Sequence, residues 1–408
     1  MGSIKIIIFD GSFKTTAFIN RLAKGLAERH EVYILGFNEE LKQKVKGVHY
    51  VPLGSNQSKF RFVKTSLGYA LKSGSIKKIA STIKNLFQGN KKQLQEQNLS
   101  FVLNTINPDI IHLQWPSVIP LFEDILQEQK TPVVLSQRGF HNNVRPFVVP
   151  ENFNYLKQWY PKIAGVHSVS KAIAENGDKI WEGDNKLNKV IYTGLQLQDF
   201  SFKQEYKVST PLQLLSIGRT HWVKGYDYAL QTCCILKENH FSFHYTIIGG
   251  AGDEELQFLI SDLGLQDCVS LVGRVPQKEV FRMMGEASLL LMPSLEEGIP
   301  NVVVEAMAIG LPVVSTDCGG IPELIANGVN GWVVPTRNPE AMAVAVMNFR
   351  ELSLEKIEAV RLAARKKVER QHNEERMIEG MERLYNEVLR RFHAEGAESS
   401  AEYAERNN

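Results

Sequence analysis

Cysteine is scarce in this chain: four occur in 408 residues, at Cys233, Cys234, Cys268 and Cys318. They form neither a paired framework nor a zinc-type spacing, which excludes a disulfide-stapled scaffold and points to a reducing cytoplasm. Cys233 and Cys234 fall in a helix-like stretch, where buried free thiols are the simplest reading. There is no HExxH, no Cys/His cluster and no EF-hand carboxylate spacing, so no bound metal is expected. An excess of one charge is also missing. Lys and Arg number 47 against 45 Asp and Glu, a net +2 that argues against a dedicated nucleic-acid binder. No apolar run reaches membrane-spanning length. The run that opens the chain, in MGSIKIIIFDG, is strand-length and too short for a signal-peptide core. Ile6 stands where myristoylation wants Ser or Thr. The expectation is a soluble or peripheral protein in the cytoplasm.

Nucleotide fingerprints are incomplete as well. GSFKTT, after the first apolar run, lacks the second glycine and the spacing of a P-loop. IIGGAGDEELQ, at Ile247–Gln257, does not reach G-x-G-x-x-G. Gly249 and Gly250 are read as room for close backbone approach to a ligand, not as a nicotinamide site. Gly11, at the end of the first strand, is read in the same way.

What is present begins with bulk. At 43% hydrophobic and 23% charged residues the chain is globular, and its length suits two domains of roughly 150–200 residues. The cations are uneven. Between Leu41 and Ser100, Lys42, Lys44, Lys46, Lys59, Arg61, Lys64, Lys72, Lys77, Lys78, Lys84, Lys91 and Lys92 face the single acid Glu96. Such a segment suits an anionic membrane surface or an anionic acceptor; a solvated face is the alternative. Within it, Ser75–Phe87 reads as a helix with Ile76, Ile79, Ile83 and Leu86 on one side, which packing on a sheet would also explain.

Apolar strand-like runs alternate with amphipathic helical runs, the pattern of parallel sheets with helical crossovers. Strands are expected at Lys5–Phe9, Val32–Leu35, Val48–Val51, Ile110–Leu113, Val133–Ser136, Gly165–Ser168 and Lys189–Tyr192. A first crossover helix is expected over Thr16–Glu28. A second set follows in LQLLSIG, HYTIIGG, VSLVGRV, SLLLMPS, PVVST and GWVVP. Near-continuous Val and Ile imply burial on both faces. The fold class is therefore α/β: two Rossmann-like, doubly wound domains, over 1–202 and 203–372, facing each other across a cleft, with Lys203–Pro211 as linker. Residues 395–408, rich in Ala, Glu, Ser and Asn, are expected to lack order.

The most informative stretch is Pro293–Thr316, PSLEEGIPNVVVEAMAIGLPVVST. A strand end leads through a glycine turn into a short helix, with Glu297 and Glu305 separated by seven residues. Pro300 suits a first helical position, Gly310 a stop, and Pro312 the residue beyond. The helix start aims amide N–H groups at an anion, for which phosphate is the natural occupant. LSIGRTHWVKGYDYAL ends a strand at Gly218 and begins a helix near Lys224. Arg219 and Lys224 then stand at the same sheet edge, suited to neutralise a diphosphate. In the first half, the strand ends offer His112, Gln114, Trp115, Arg138, Gly139 and His141. Arg138 is the strongest candidate for a substrate contact, since lone histidines are more often structural.

Over Leu212–Phe349 the chain resembles the family-4 retaining glycosyltransferases of GT-B fold, the glycosyl transferases group 1. The matching pieces are GR-x4-KG at Gly218–Gly225, IIGGAGDEE, LGLQDCVSLVGRV, MPSLEEGIPNVVVEAMAIGLPVVSTDCGGIPELI and NGVNGWVV. The first half keeps a looser likeness in PDIIHLQW, PVVLSQRG and VIYTGLQLQDF. Thr193 and Gln196 replace Asn and Asp in the last of these. Arg138 stands where the family has histidine, and Gly11-Ser12 replaces a glycine pair.

The resemblance implies an acceptor-binding first domain, onto which a helix over about 373–394 crosses back, and a donor-binding second domain. Arg219 and Lys224 would grip the diphosphate, Glu305 the ribose hydroxyls, and the backbone at Arg274 and Val275 the base. Glu297 would lie by the donor sugar, with the amides of Gly298, Ile299, Pro300, Asn301 and Val302 forming the wall of sugar and phosphate contacts; proline itself contributes no N–H. The catalytic set would be Glu297, Arg219, Lys224 and Arg138. Gly11, Gly218, Gly249 and Gly250 would lie on the donor side, and His112, Trp115, Gly139 and His141 on the acceptor side. The implied reaction moves a sugar from a nucleotide diphosphate, UDP favoured by family frequency, to a saccharide or lipid-linked acceptor in polysaccharide or glycoconjugate synthesis. It uses no cofactor, metal or nucleic acid. A binding subunit with a decayed site, an inverting transferase and a sugar-nucleotide epimerase remain as alternatives.

Overall fold

The computed structural model describes residues 2–37, 41 and 44–406, with side chains described through Glu395. Lys42 of the basic segment lies outside the described residues. All thirteen expected strands form. In the first unit they are β1 (Lys5–Phe9), β2 (Glu31–Gly36), β3 (Val48–Pro52), β4 (Ile110–Leu113), β5 (Val133–Gln137), β6 (Gly165–Ser168) and β7 (Asn188–Val190). They make one parallel sheet in the order β3-β2-β1-β4-β5-β6-β7. Side chains alternate between its faces. Ile7, Phe9, Leu35 and Ile111 enter one core, and Ile6, Ile8, Val32 and Ile110 the other. Burial on both faces is why these strands are almost uninterrupted Val and Ile. The strand expected over Lys189–Tyr192 is shorter and earlier, at Asn188–Val190; beyond it the Ile191 carbonyl bonds the His167 ring.

The second unit holds β8 (Leu212–Ile217), β9 (Phe243–Ile248), β10 (Val269–Val272), β11 (Leu289–Met292), β12 (Val313–Thr316) and β13 (Trp332–Val334). They form a parallel sheet ordered β10-β9-β8-β11-β12-β13. In both sheets the chain starts in the middle, winds outward to one edge, then returns beside its first strand. The switch points are β1/β4 and β8/β11, and ligands of open α/β sheets bind beyond the strand carboxyl ends at such points.

Contacts divide the chain into residues 1–169, 174–191 and 374–408 on one side, and residues 170–173 and 192–373 on the other. The expected boundary at 202/203 is therefore corrected to 191/192. Leu195 and Phe200 belong to the second core, and Lys203 donates its amide to Ile309. The stretch Lys203–Pro211 is not a free linker either. Arg361, on a helix over Leu354–Gln371, stacks 4.6 Å from the Tyr206 ring and is fully buried, while the Tyr206 hydroxyl donates to Ser288.

In the first unit, α1 (Ala17–Leu26) packs beside the helix Glu374–Arg406, whose Met381, Leu384, Tyr385 and Val388 complete the core under β6. Gly165 makes this possible: a Cβ there would stand 2.4 Å from Val388 Cγ2. That helix also runs through residues 395–406, where disorder was expected. Ala and Glu, taken as signs of a polar tail, are strong helix formers that extend an existing helix. Three further helices lie between β3 and β4: α2 (Lys59–Lys72), α3 (Ile76–Gln88) and α4 (Lys91–Ile106). The Ser75 side chain caps α3 by accepting from the Lys78 amide.

Candidate active site

At the β8/β11 switch point of the second unit, two loops meet through glycine. Gly225 (φ +62°) ends the turn after β8, and a Cβ there would lie 2.1 Å from the Pro293 carbonyl oxygen after β11. Gly319 (φ +51°) admits the Glu297 carbonyl, which would stand 1.7 Å from a Cβ, and the Gly320 amide donates to Gly298 at 2.9 Å. No residue with a side chain fits these positions, so the Glu297 turn is held from both sides by backbone. Neither glycine had been assigned a site role, although both lie inside motifs quoted above.

The closed turn brings Lys224 Nζ to 2.5 Å from Glu297 Oε1, and Ser294 Oγ donates to the same oxygen at 3.1 Å. Both charged side chains are largely buried, at 20% and 16% exposure. Their neighbours register the carboxylates. Burial, then Glu297 and Glu296, push the Cys318 thiol up to about 12, and burial with Glu297 raises the Tyr226 phenol. Arg219 stays exposed and forms no ion pair among the described residues.

A nine-residue helix, Asn301–Ile309, follows. Pro300 is its N-cap rather than its first residue, and Gly310 (φ +86°) ends it as expected. No side chain caps this N-terminus, and Val303 and Val304 turn their amides back to Pro300. The amides of Asn301 and Val302 remain as its leading donors, beside buried Gly298 and Ile299. Glu305 is half-buried one turn along the helix and is engaged by neighbours. Arg274 is exposed and Val275 half-buried just beyond β10. At Gly249 (φ +99°) a Cβ would stand 2.3 Å from the Gly218 carbonyl, and at Gly250 it would meet Leu271 and Ile247. The requirement for glycine there is met inside the fold, so these two positions need no ligand to explain them.

At the β1/β4 switch point of the first unit, Gly11 (φ +92°) has open space where a Cβ would stand. Trp115 and His141 are half-buried, with ring centroids 6.3 Å apart, and Gly139 (φ +43°) starts the turn that carries His141. Arg138 is buried. His112 is not a direct substrate contact. It is fully buried, with Nδ1 2.7 Å from the Tyr385 hydroxyl and Nε2 2.8 Å from Ser136 Oγ. Ser136 Oγ also meets His167 Nδ1 at 2.8 Å, and His167 Nε2 bonds the Ile191 carbonyl. β4 places residue 112 on the face that the C-terminal helix covers, and a strand shows this only once its parity is known.

Burial, with Arg138 close by, holds His167 at about 3 and His112 well below its ordinary value. The unfolded chain then binds protons that the fold refuses. Stability should be full above about pH 6.5 and fall as the pH drops towards 3. Denaturant titrations at pH 7 and 5 should show that loss, and His167→Asn should flatten it.

Residues 198–367 match the family described as glycosyl transferases group 1. The amylovoran biosynthesis glycosyltransferase AmsK of Erwinia amylovora is 40% identical over 210 residues, 49% of this chain and 51% of AmsK. The putative colanic acid biosynthesis glycosyltransferase WcaL of Escherichia coli is 36% identical over 189 residues, 45% of this chain and 47% of WcaL. The chain spans about half the length of the curated relatives it matches. A glycosyltransferase from Rickettsia africae superposes with TM-score 0.72 at 18% identity, covering 95% of this chain and 99% of that one. Anabaena HepE in complex with UDP-glucose superposes with TM-score 0.68 at 17% identity, covering 95% and 99%. The fold is that of the GT-B glycosyltransferases. Within it, the match to the glycosyl transferases group 1 family falls in the second unit.

Proposed function

We propose that this chain is a glycosyltransferase of polysaccharide synthesis, moving a sugar from a nucleotide diphosphate, UDP favoured, to a saccharide or lipid-linked acceptor with retention at the anomeric carbon. The observation that carries the reading is the Lys224–Glu297 pair beside the uncapped helix at Asn301. Breaking the bond from the anomeric carbon to the phosphate oxygen builds positive charge on the ring and negative charge on the leaving group. Glu297 answers the first; Arg219, Lys224 and the helix amides answer the second. The acceptor oxygen bonds to the same face of the anomeric carbon, and its proton passes to the departing phosphate oxygen. Glu297, already paired with Lys224, serves as an electrostatic partner, not a nucleophile; a trapped glycosyl–Glu297 adduct on the reaction path would overturn this. With Arg219 and Lys224 as the proposed partners of the diphosphate, the proposed chemistry uses no metal and no resident cofactor.

A thermal-shift panel of nucleotide sugars tests donor use. At a hundredfold excess over Kd the correct donor should stabilise the fold by about 2.7 kcal/mol. Turnover of that donor, followed by proton NMR of the product's anomeric coupling, should report retention. Binding without turnover would favour a non-catalytic subunit.

A second observation supports an anionic phospholipid surface as a partner of the basic segment. Helix α3 turns polar residues inward: Thr82 and Asn85 are buried and Ile79 and Leu86 half-buried, whereas Ile76 and Phe87 are 83% and 90% exposed, with Ile83 exposed between them. Phe60 and Leu71 of α2 are exposed too, among Lys59, Arg61, Lys64, Lys72, Lys77, Lys78 and Lys84. The polar face is turned inward by its partner helix: Thr82 and Ser81 bond Gln97 of α4, beside a cavity of about 680 Å³ that residues of α2, α3 and α4 line. A second copy would bring like charge against like, whereas anionic headgroups complement it. No helix among the described residues is long and apolar enough to cross a membrane. Surface attachment by an apolar row flanked by lysines remains available to such a chain.

A further inference from the structure

Arg138 closes β5 and is only 9% exposed, yet no carboxylate lies within ion-pair distance of it among the described residues. Its guanidinium lies 4.2 Å from the centre of the Phe18 ring. One terminal nitrogen reaches Gln114 Oε1 and Ser136 Oγ, each at the long distance of 3.4 Å, while Nε has no partner. Gln114, at the end of β4, is fully buried, and its Nε2 also has no acceptor. Since Oε1 faces the cation, the unmet atom of this amide is a donor. Two buried donors on side chains that touch each other, one of them charged, thus lack an acceptor. A buried cation without a counter-charge is among the costliest arrangements in a protein, and an anion bound beside it would offset that cost.

The surroundings narrow the ligand. The site lies at the β1/β4 switch point, where Gly11 leaves open space. Half-buried rings flank it: Phe18 stands 6.1 Å from Trp115, and Trp115 6.3 Å from His141. Partly exposed aromatic faces next to a forked cation suit a sugar ring bearing a negative group, the ring packing on the aromatics while the guanidinium pairs with oxygens in a plane.

We propose that Arg138 and Gln114, with Gly11, Phe18, Trp115 and His141 around them, form a binding site for a saccharide that carries a carboxylate or a phosphate. Its ligand is the acceptor of the proposed transfer, so its role, though not its existence, rests on that reading. The missing counter-charge arrives with the substrate.

The test uses the full chain in thermal-shift titrations with glucuronate, glucose 6-phosphate and glucose, at chloride-matched ionic strength. Glucuronate or glucose 6-phosphate should raise Tm, and glucose should not; the larger of the two shifts tells carboxylate from phosphate. Gln114→Glu supplies the absent carboxylate inside the protein. It should raise the ligand-free Tm and abolish the anion shift, and it decides the matter even where Arg138→Gln does not fold. Arg138→Gln should likewise lose the shift without lowering the ligand-free Tm. Equal shifts with glucose, or an anion shift that survives Gln114→Glu, would overturn the site. A UDP-sugar shift retained in Gln114→Glu would leave the transferase reading standing, whereas its absence from the unmodified protein would count against that reading alone.

Discussion

Glu297→Gln should slow sugar transfer by at least ~10²-fold while weakening nucleotide-sugar binding far less, because a preorganised charge acts chiefly on the transition state. The exchange removes the negative charge, keeps the shape, and leaves an amide oxygen to receive the Lys224 and Ser294 donors. Lys224→Ala should cost a comparable factor, through the leaving group rather than the sugar. It should also destabilise the fold by about 1–3 kcal/mol, since Glu297 then keeps a largely buried charge without its 2.5 Å partner. The two losses should not add, because each removes the same pair. Steady-state kinetics of both variants and the double variant, with thermal midpoints alongside, checks this. A Glu297→Gln enzyme with unchanged kcat would sink the assignment.

Phe87→Ser combined with Ile76→Ser should lower affinity for phosphatidylglycerol-rich vesicles by roughly 10- to 100-fold. Each lost apolar side chain withdraws about 1.5–3 kcal/mol of burial when inserted, less what the interface leaves exposed. Lys77→Glu with Lys78→Glu should act as strongly, at about 1 kcal/mol per cation near an anionic surface, with repulsion added. The serine changes should leave the thermal midpoint unmoved, because these side chains already stand in water in the free protein. Co-sedimentation with anionic and with neutral vesicles reads both pairs. Salt-sensitive binding that ignores the serine changes would mean electrostatic contact without insertion. Equal binding to neutral vesicles would remove the charge argument, and a dimer abolished by Phe87→Ser would name a second copy as the occupant.

How far these sites were legible varied with the kind of information each needed. The strands were legible because a strand buried on both faces must be written in Val and Ile, and every such run became one. The Glu297 turn was legible because proline and glycine around a short helix carry conformational meaning in themselves. Helix α3 was legible as an amphipathic helix but not in its orientation. Of its apolar row, Ile76 and Ile83 face outward while Ile79 and Leu86 are half-buried, because Gln97 on a neighbouring helix holds the polar row inward. His112 and Arg138 show the same limit. Both stand at strand ends; one is committed to Tyr385 and Ser136, while the other lacks a counter-ion.

The amino-acid order alone decided the α/β class, the thirteen strands and the short helix after Glu297, because local patterns of period two, helix stops and glycine turns carry that information. Tertiary structure decided where one unit ends, which face of α3 meets water, and which buried polar groups go unpaired. Those outcomes depend on what lies across a sheet or under a helix, contributed by residues tens to hundreds of positions away, and no local pattern encodes them.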